Sequence, residues 1–332
     1  MNSATSESIP KVGPHHRGLP LRVGTRGSPL ARAQTASFLG LLRQFCPVLR
    51  GMEVFEEHVI TTTGDKVQDR TLAEIGGKGL FAKEIHEALA EGRIDLAVHS
   101  LKDLETALPP GISLACTLKR EDARDVLVLP PDASGLDPTD PYTALPLGAL
   151  VGSSSVRRQA QLKHARPDLR FTLFRGNVGT RLQKIAAGEV SATLLAYAGL
   201  RRLGLEYRAS LPLSPELMVP AACQGIVGVT IRSADTELHS LLAAIEDEEA
   251  QAVATAERAL LAALDGSCRT PIGGYARLLD DGSLHVTGLV ARTDGSFLLK
   301  RAATGAKADA GLLGHALGLE LKADSPADIF AP

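Results

Sequence analysis

Leu21-Arg22-Val23-Gly24-Thr25-Arg26-Gly27-Ser28-Pro29 is the stretch on which the fold turns. Residues 21–23 suit a short strand, and Gly24 to Gly27 a turn. Serine followed by proline gives the N-cap and first position of a helix that should reach about Leu42. Such a helix start offers free backbone N–H groups to an anion. The same grammar returns at Leu150-Val151-Gly152, where Ser153-Ser154-Ser155 caps a helix carrying Arg157 and Arg158. Two strand-to-helix units of this kind predict two α/β lobes with mostly parallel sheets, binding ligands outside the carboxyl ends of their strands.

Working outward, residues 53–61 read as a second strand. Residues 62–79 read as a loop holding Gly64, Gly76, Gly77 and Gly79. Phe81, Ile85, Ala88 and Leu89 fall at helical spacing, and residues 94–98 form a compact apolar strand suited to burial on both faces. The Pro-, Asp- and Gly-rich stretch 130–146 reads as a surface excursion between the lobes. From Glu248 the style changes to a long helix ending near Leu264, followed by a Gly-Ser-Cys loop. Strands at 274–279, 284–291 and 297–303 follow, broken by Asp281-Gly282 and Asp294-Gly295, and a last helix covers 308–322. This is a small α+β domain.

A chain of 332 residues has room for two or three domains, and 44% hydrophobic with 22% charged residues is ordinary for a globular protein. No apolar run approaches the ~20 residues that span a bilayer. The first twenty residues lack an apolar stretch of signal-peptide length and read as a disordered tail. Cys46, Cys116, Cys223 and Cys268 form no Cys-x-x-Cys pair, so neither a zinc site nor a redox dithiol is expected, and a reducing cytoplasm is the expected home. Net charge is −2, yet residues 151–208 hold eleven Lys or Arg against three acids, a local excess of +8 that attracts anions. Nucleic acid is a poor fit, because the whole chain is not basic, it has no tryptophan, and its arginines are spread over separate loops.

Three constellations can carry chemistry. Arg26, Arg157, Arg158, Arg175, Arg181 and Arg202 lie at expected strand-to-helix turns or in Gly-bearing loops, and a guanidinium fork pairs bidentately with a carboxylate. In His99-Ser100-Leu101-Lys102-Asp103 an acid stands at the tip of the buried strand, placed to face a cleft. In residues 265–274 small residues flank Cys268, leaving its thiol accessible beside Arg269. No base is adjacent, so protease chemistry is not supported.

In this order the constellations resemble hydroxymethylbilane synthases, also called porphobilinogen deaminases, over about residues 20–330. The strongest pieces are residues 24–31, 76–81, 98–103, 120–125, 152–159, 173–182 and 198–205, then Gln224-Gly225 and the cysteine loop. The resemblance implies two periplasmic-binding-protein-like lobes around a central cleft plus a C-terminal α+β domain. The implied division is a tail at 1–19, a first lobe of 20–118 with 226–243, a second lobe of 124–219, and a third domain of 248–332. It implies a transferase that condenses four porphobilinogen molecules, with loss of ammonia, onto a dipyrromethane cofactor held by a thioether to Cys268, and then releases hydroxymethylbilane by hydrolysis.

Carried over by motif, Asp103 is the catalytic residue. Lys102, Ser153, Ser154, Ser155, Arg157, Arg158, Arg175, Gly176 and Arg181 join Cys268 in holding the cofactor. Arg26, Ser28, Arg175, Arg202 and Gln224 bind substrate, and Asp65, Lys78 and Phe81 belong to a lid. The implied protein is a cytoplasmic monomer without metal, nucleic acid or membrane partner. Three positions depart from the family pattern: Glu105 where proline is frequent, Ser267 for a common glycine, and Glu74 where some members have lysine. A two-lobed solute-binding or ligand-sensing protein is the alternative, and it would lack the cysteine loop.

Overall fold

The computed structural model describes residues 18–46, 49, 53–67, 79–265 and 270–330. Its strands are β1 (Leu21–Arg26), β2 (Phe55–Ile60), β3 (Leu96–Ser100), β4 (Ile112–Thr117), β5 (Asp125–Val128), β6 (Leu150–Gly152), β7 (Arg170–Thr172), β8 (Ala192–Ala196), β9 (Leu211–Pro212), β10 (Val227–Arg232), β11 (Ile272–Leu278), β12 (Leu284–Ala291) and β13 (Leu298–Gly305). The helices are α1 (Pro29–Phe45), α2 (Thr63–Lys66), α3 (Lys83–Ala90), α4 (Val156–Ala165), α5 (Val178–Ala186), α6 (Tyr197–Arg202), α7 (Thr236–Ala243), α8 (Glu248–Ala263) and α9 (Ala310–Ala323). The fold is mixed α/β, with two lobes built on the five-stranded sheets β2-β1-β3-β10-β4 and β7-β6-β8-β5-β9, and a small C-terminal unit on β11-β12-β13.

The expectation of mostly parallel sheets holds for four strands of each five-stranded sheet, and one strand in each runs the other way. β1 is parallel to β2 and β3, and β6 to β7 and β8, but β10 runs antiparallel to β3 and β4, and β5 to β8 and β9. The reason is topological. β5 is the first strand after the chain leaves the first sheet and β10 the first after it returns, so each enters from the opposite lobe and runs against its neighbours. The two crossings lie side by side: the Glu121 N–H donates to the Gly225 carbonyl at 3.0 Å, and the Leu118 N–H to that of Val227 at 2.9 Å.

Ser28 and Pro29 start α1 as their chemistry dictates, with Ser28 Oγ accepting from the Ala31 N–H at 3.2 Å. Ala31, Thr35, Phe38, Leu39 and Leu42 form its buried face, at the three- and four-residue spacing of an amphipathic helix. Ser155 caps α4 in the same way, accepting from the Arg158 N–H at 3.4 Å. Gly152 is required by close approach, since a Cβ there would lie 2.5 Å from Phe174 Cγ.

Two loop expectations change. The stretch expected as loop from Thr62 contains α2, whose capping box is Asp65 accepting from Thr62 N at 3.3 Å and Thr62 Oγ1 at 2.8 Å. Four residues are too few to show a helical period. The 130–146 stretch is fastened to the second lobe: Pro141 and Leu145 are buried, and Leu136 and Tyr142 pack on that lobe's core. In the C-terminal unit Val253, Leu260, Leu284 and Leu321 share one continuous core with Ala82, Leu101 and Leu104 of the first lobe. That shared core seats the C-terminal unit directly beneath the turn carrying Asp103.

Candidate functional site

β3 ends at Ser100 and tightens into a 3-10 turn, Leu101–Asp103. Leu101 and Leu104 anchor the turn in the core, which leaves Lys102 and Asp103 half-buried between them. Arg26, at the end of β1, sets Nη1 3.7 Å from Asp103 Oδ2, and 31% of the Asp103 side chain remains exposed. The Arg26 fork is taken by Asp65, through Nε at 3.2 Å and through Nη2, and its guanidinium carbon lies 4.2 Å from the centre of the Phe81 ring. Burial would raise the Asp65 pKa, but the Arg26 hydrogen bonds and charge outweigh it and hold the carboxyl below its ordinary range. Arg175 reaches over from the second lobe and donates Nη2 to the Gly64 carbonyl at 3.1 Å. Arg26, Asp65, Phe81, Asp103 and Arg175 therefore converge across the lobes.

Arg157 and Arg158 lie on the expected helix but point inward. Both lie in the first turn of α4, 6% and 8% exposed, and point at Asp125 at the start of β5. Asp125 accepts from Arg157 Nη1 at 2.8 Å and from Arg158 Nε and Nη2 at 3.1 and 2.7 Å. Gln224, expected to meet substrate, is fully buried. It donates Nε2 to Asp125 Oδ1 at 2.9 Å and to the Ala123 carbonyl at 2.8 Å, while its Oε1 accepts from Lys102 Nζ at 3.2 Å. Burial alone would raise the Asp125 pKa, but the two guanidinium groups reverse this and hold it far below the ordinary carboxylate range. Sequence reasoning gave Asp125 no role. Its signal was an acid opening the otherwise apolar strand Asp125–Val128.

Burial pulls the Lys102 ammonium down to about 8, opposed by Asp103 and reinforced by Arg158. Arg181 and Arg202 lie on α5 and α6, not in loops. Arg181 donates Nε to the Gly176 carbonyl at 2.9 Å, and Gly176 holds φ at +118°. Burial, then the charges of Arg158 and Arg175, bring Arg181 down to about 10, and no carboxylate pairs with it among the described residues. Such a crowd of cations calls for an external anion, so the residues present fit a ligand bearing several carboxylates. Arg202 donates to the Gly225 carbonyl at 2.6 Å. Ser153 Oγ accepts from the Ser155 N–H and Ser154 Oγ from the Phe174 N–H, fixing the turn before α4. Ser28 remains a helix cap. Cys268 and Lys78, like Glu74 and Ser267, lie outside the described residues.

Behind Asp103, His99 Nε2 sits 2.8 Å from Thr230 Oγ1, its ring 5.9 Å from that of His86. Burial drives the His99 pKa from 6.5 down to about 3, with smaller contributions from His86 and Arg26. The unfolded chain binds this proton first, so stability from the neutral ring is complete above about pH 6.5 and is lost as pH falls toward 3. Urea titrations of wild type and His99→Gln should show it, with wild type losing up to roughly 5 kcal/mol more over that interval. Parallel pH curves for the two proteins would rule out this role.

The Porphobilinogen deaminase, dipyromethane cofactor binding domain family model matches residues 21–240, and the Porphobilinogen deaminase, C-terminal domain model matches residues 251–323. The porphobilinogen deaminase of Paracoccus denitrificans is 47% identical over 313 residues, covering 94% of this chain and 96% of that one. The chloroplastic porphobilinogen deaminase of Oryza sativa subsp. japonica is 45% identical over 285 residues, covering 86% and 78%. Among solved structures, the Bordetella pertussis BvgS VFT2 domain aligns with a TM-score of 0.41 at 18% identity over 71% of this chain and 91% of that one. Two family models that together span both lobes and the C-terminal unit, and relatives 45–47% identical over most of their length, establish that the chain belongs to the porphobilinogen deaminase family.

Proposed function

We propose that the chain catalyses stepwise condensation of four porphobilinogen molecules onto a dipyrromethane primer carried by Cys268, releasing ammonia at each addition and hydroxymethylbilane at the end. The observation that carries this reading is the pairing of a partly exposed carboxylate, Asp103, next to Lys102 and Arg26, with the mutually repelling cations Arg181, Arg158 and Arg175 of the second lobe. When bound, the dipyrromethane supplies the free pyrrole carbon on which the product chain starts. Arg175, Arg181 and Lys102 then hold the acetate and propionate groups of the pyrroles, and the hydroxyl groups of the 153–155 turn complete the seat. Each added unit brings further negative charge, so the site needs more cationic than anionic side chains. Asp103 acts on the opposite charge: departure of ammonia from porphobilinogen leaves a cationic carbon, and a carboxylate already in place stabilises it as it forms. A covalent mooring keeps the product chain in place between rounds and makes each coupling effectively intramolecular.

The reading includes three structural units, at 20–118 with 226–243, 124–219 and 248–332, each of which contains one of the three sheets. It also includes a monomer, and a cytoplasmic location with which the free thiols of Cys46, Cys116 and Cys223 are consistent. No helix among the described residues is long and apolar enough to cross a membrane.

Cys268→Ser tests the anchor. Purified wild type should weigh one dipyrromethane more than its sequence mass and colour with Ehrlich's reagent, whereas the variant should show the bare mass and no colour. The same mass increment in both proteins would defeat the assignment of Cys268.

A further inference from the structure

Glu105, two residues beyond Asp103, stands in a sterically tight place. Its Oε1 occupies the position that a Cβ on Gly79 would take, so it lies directly against the Gly79 backbone, which holds φ at +77°. The Glu105 carbonyl accepts from Arg258 Nη2 at 2.7 Å, and the Thr106 carbonyl accepts from the same atom at 3.1 Å, tying this turn to α8. From Gly79 the chain runs through Leu80 to Phe81, whose ring fills the space beside Gly64 and lies under the Arg26 guanidinium at 4.2 Å. Arg26 faces Asp103 at 3.7 Å. The contacts close a ring: Asp103 to Glu105 by the chain, Glu105 to Gly79 by packing, Gly79 to Phe81 by the chain, Phe81 to Arg26 by stacking, and Arg26 back to Asp103.

We propose that Glu105 is a positioning residue for the Arg26–Asp103 pair, acting through Gly79 and Phe81. This rests on the reading of Asp103 as the catalytic carboxylate. A brace of this type acts by shape, because a flexible glycine pressed by a fixed side chain has one resting place, and losing the side chain frees it. Glu105 Oε2 is buried without a hydrogen-bond partner, as are both ring nitrogens of His86, which feels the Glu105 charge. His86 otherwise faces the neutral His99 ring, and Arg258 approaches Glu105 from the far side. Oε2 thus makes no hydrogen bond of its own, which fits a side chain that acts by packing.

The test compares Glu105→Ala and Glu105→Gln in the purified, cofactor-loaded enzyme. Glu105→Ala should lower kcat for porphobilinogen about tenfold with KM changed less than about twofold, on the scale of a misplaced catalytic group. The isosteric Glu105→Gln should restore kcat to within about twofold of wild type. In a Phe81→Leu background, Glu105→Ala should cost little more, since the brace acts through that ring. A readout independent of activity comes from NMR titration of the His86 ring, which should protonate at lower pH once Glu105 loses its charge in either variant. Wild-type kcat in a folded Glu105→Ala, or equal loss in Ala and Gln, would overturn the positioning role. Full additivity with Phe81→Leu would overturn the route through Phe81. Near-normal turnover in Asp103→Asn, measured alongside, would instead strike the underlying reading of Asp103.

Discussion

Asp103→Asn is expected to keep the covalent dipyrromethane mass and the wild-type melting temperature while turnover drops by about two to four orders of magnitude. The substitution preserves size, and the turn stays anchored by Leu101 and Leu104, so folding should not suffer. What disappears is the partly exposed negative charge at the tip of β3, whose neighbour Arg26 Nη1 lies 3.7 Å away. A second consequence follows from Lys102, whose pKa of about 8 is supported by the Asp103 charge against burial. Without that support the ammonium loses its proton at lower pH. The alkaline limb of the residual activity should therefore move to lower pH, because a neutral Lys102 no longer attracts carboxylates. Single-turnover rates across pH 6 to 9 decide the matter. A variant within tenfold of wild type, or one whose alkaline limb stays fixed, would contradict the role given to Asp103.

Much of this site was legible because its elements announce themselves locally. Ser28-Pro29 and Ser155 are caps that need only their own side chains and the next turn of backbone, and each starts its helix where expected. Asp103 was legible for the same reason, as an acid just past an apolar strand. The direction in which Arg157 and Arg158 point was not. A guanidinium at a helix start can face solvent, a ligand or the interior, and Asp125, 32 residues away, decides among them. The burial of Gln224 was hidden in the same way, since both of its hydrogen-bonding ends are occupied by residues about 100 positions distant or more. The mixed sheets were hidden too, because strand direction depends on where the chain crosses between lobes, and a strand's residues do not encode that. Propensity and capping act over a few residues, whereas charge pairing and strand direction are settled by the packed whole.

Asp125→Asn should be the most destabilising single substitution among the polar residues of the second lobe. Asp125 is completely buried and is the common acceptor for Arg157, Arg158 and Gln224, and the Arg157 and Arg158 side chains are only 7% and 10% exposed. An asparagine keeps the shape but leaves two guanidinium groups enclosed without a counter-charge. Removing one partner of a buried ion pair costs about 3–5 kcal/mol. In a protein of this size the melting temperature should fall by roughly 10 °C, at about 2–4 °C per kcal/mol. The guanidinium groups retain other acceptors, Arg157 Nη1 on the Val219 carbonyl at 2.6 Å and Arg158 Nη1 on that of Leu194 at 2.9 Å, so the loss should be severe without abolishing the fold. The triple substitution Asp125→Leu, Arg157→Met, Arg158→Met should recover part of the lost stability, since it leaves no buried charge unpaired, although Gln224 and the Leu194 carbonyl each lose a hydrogen-bond partner. It should still bind substrate poorly, because Gln224 then loses the acceptor that holds it against Lys102. An Asp125→Asn protein melting within about 2 °C of wild type would show that these arginines are neutralised in some other way.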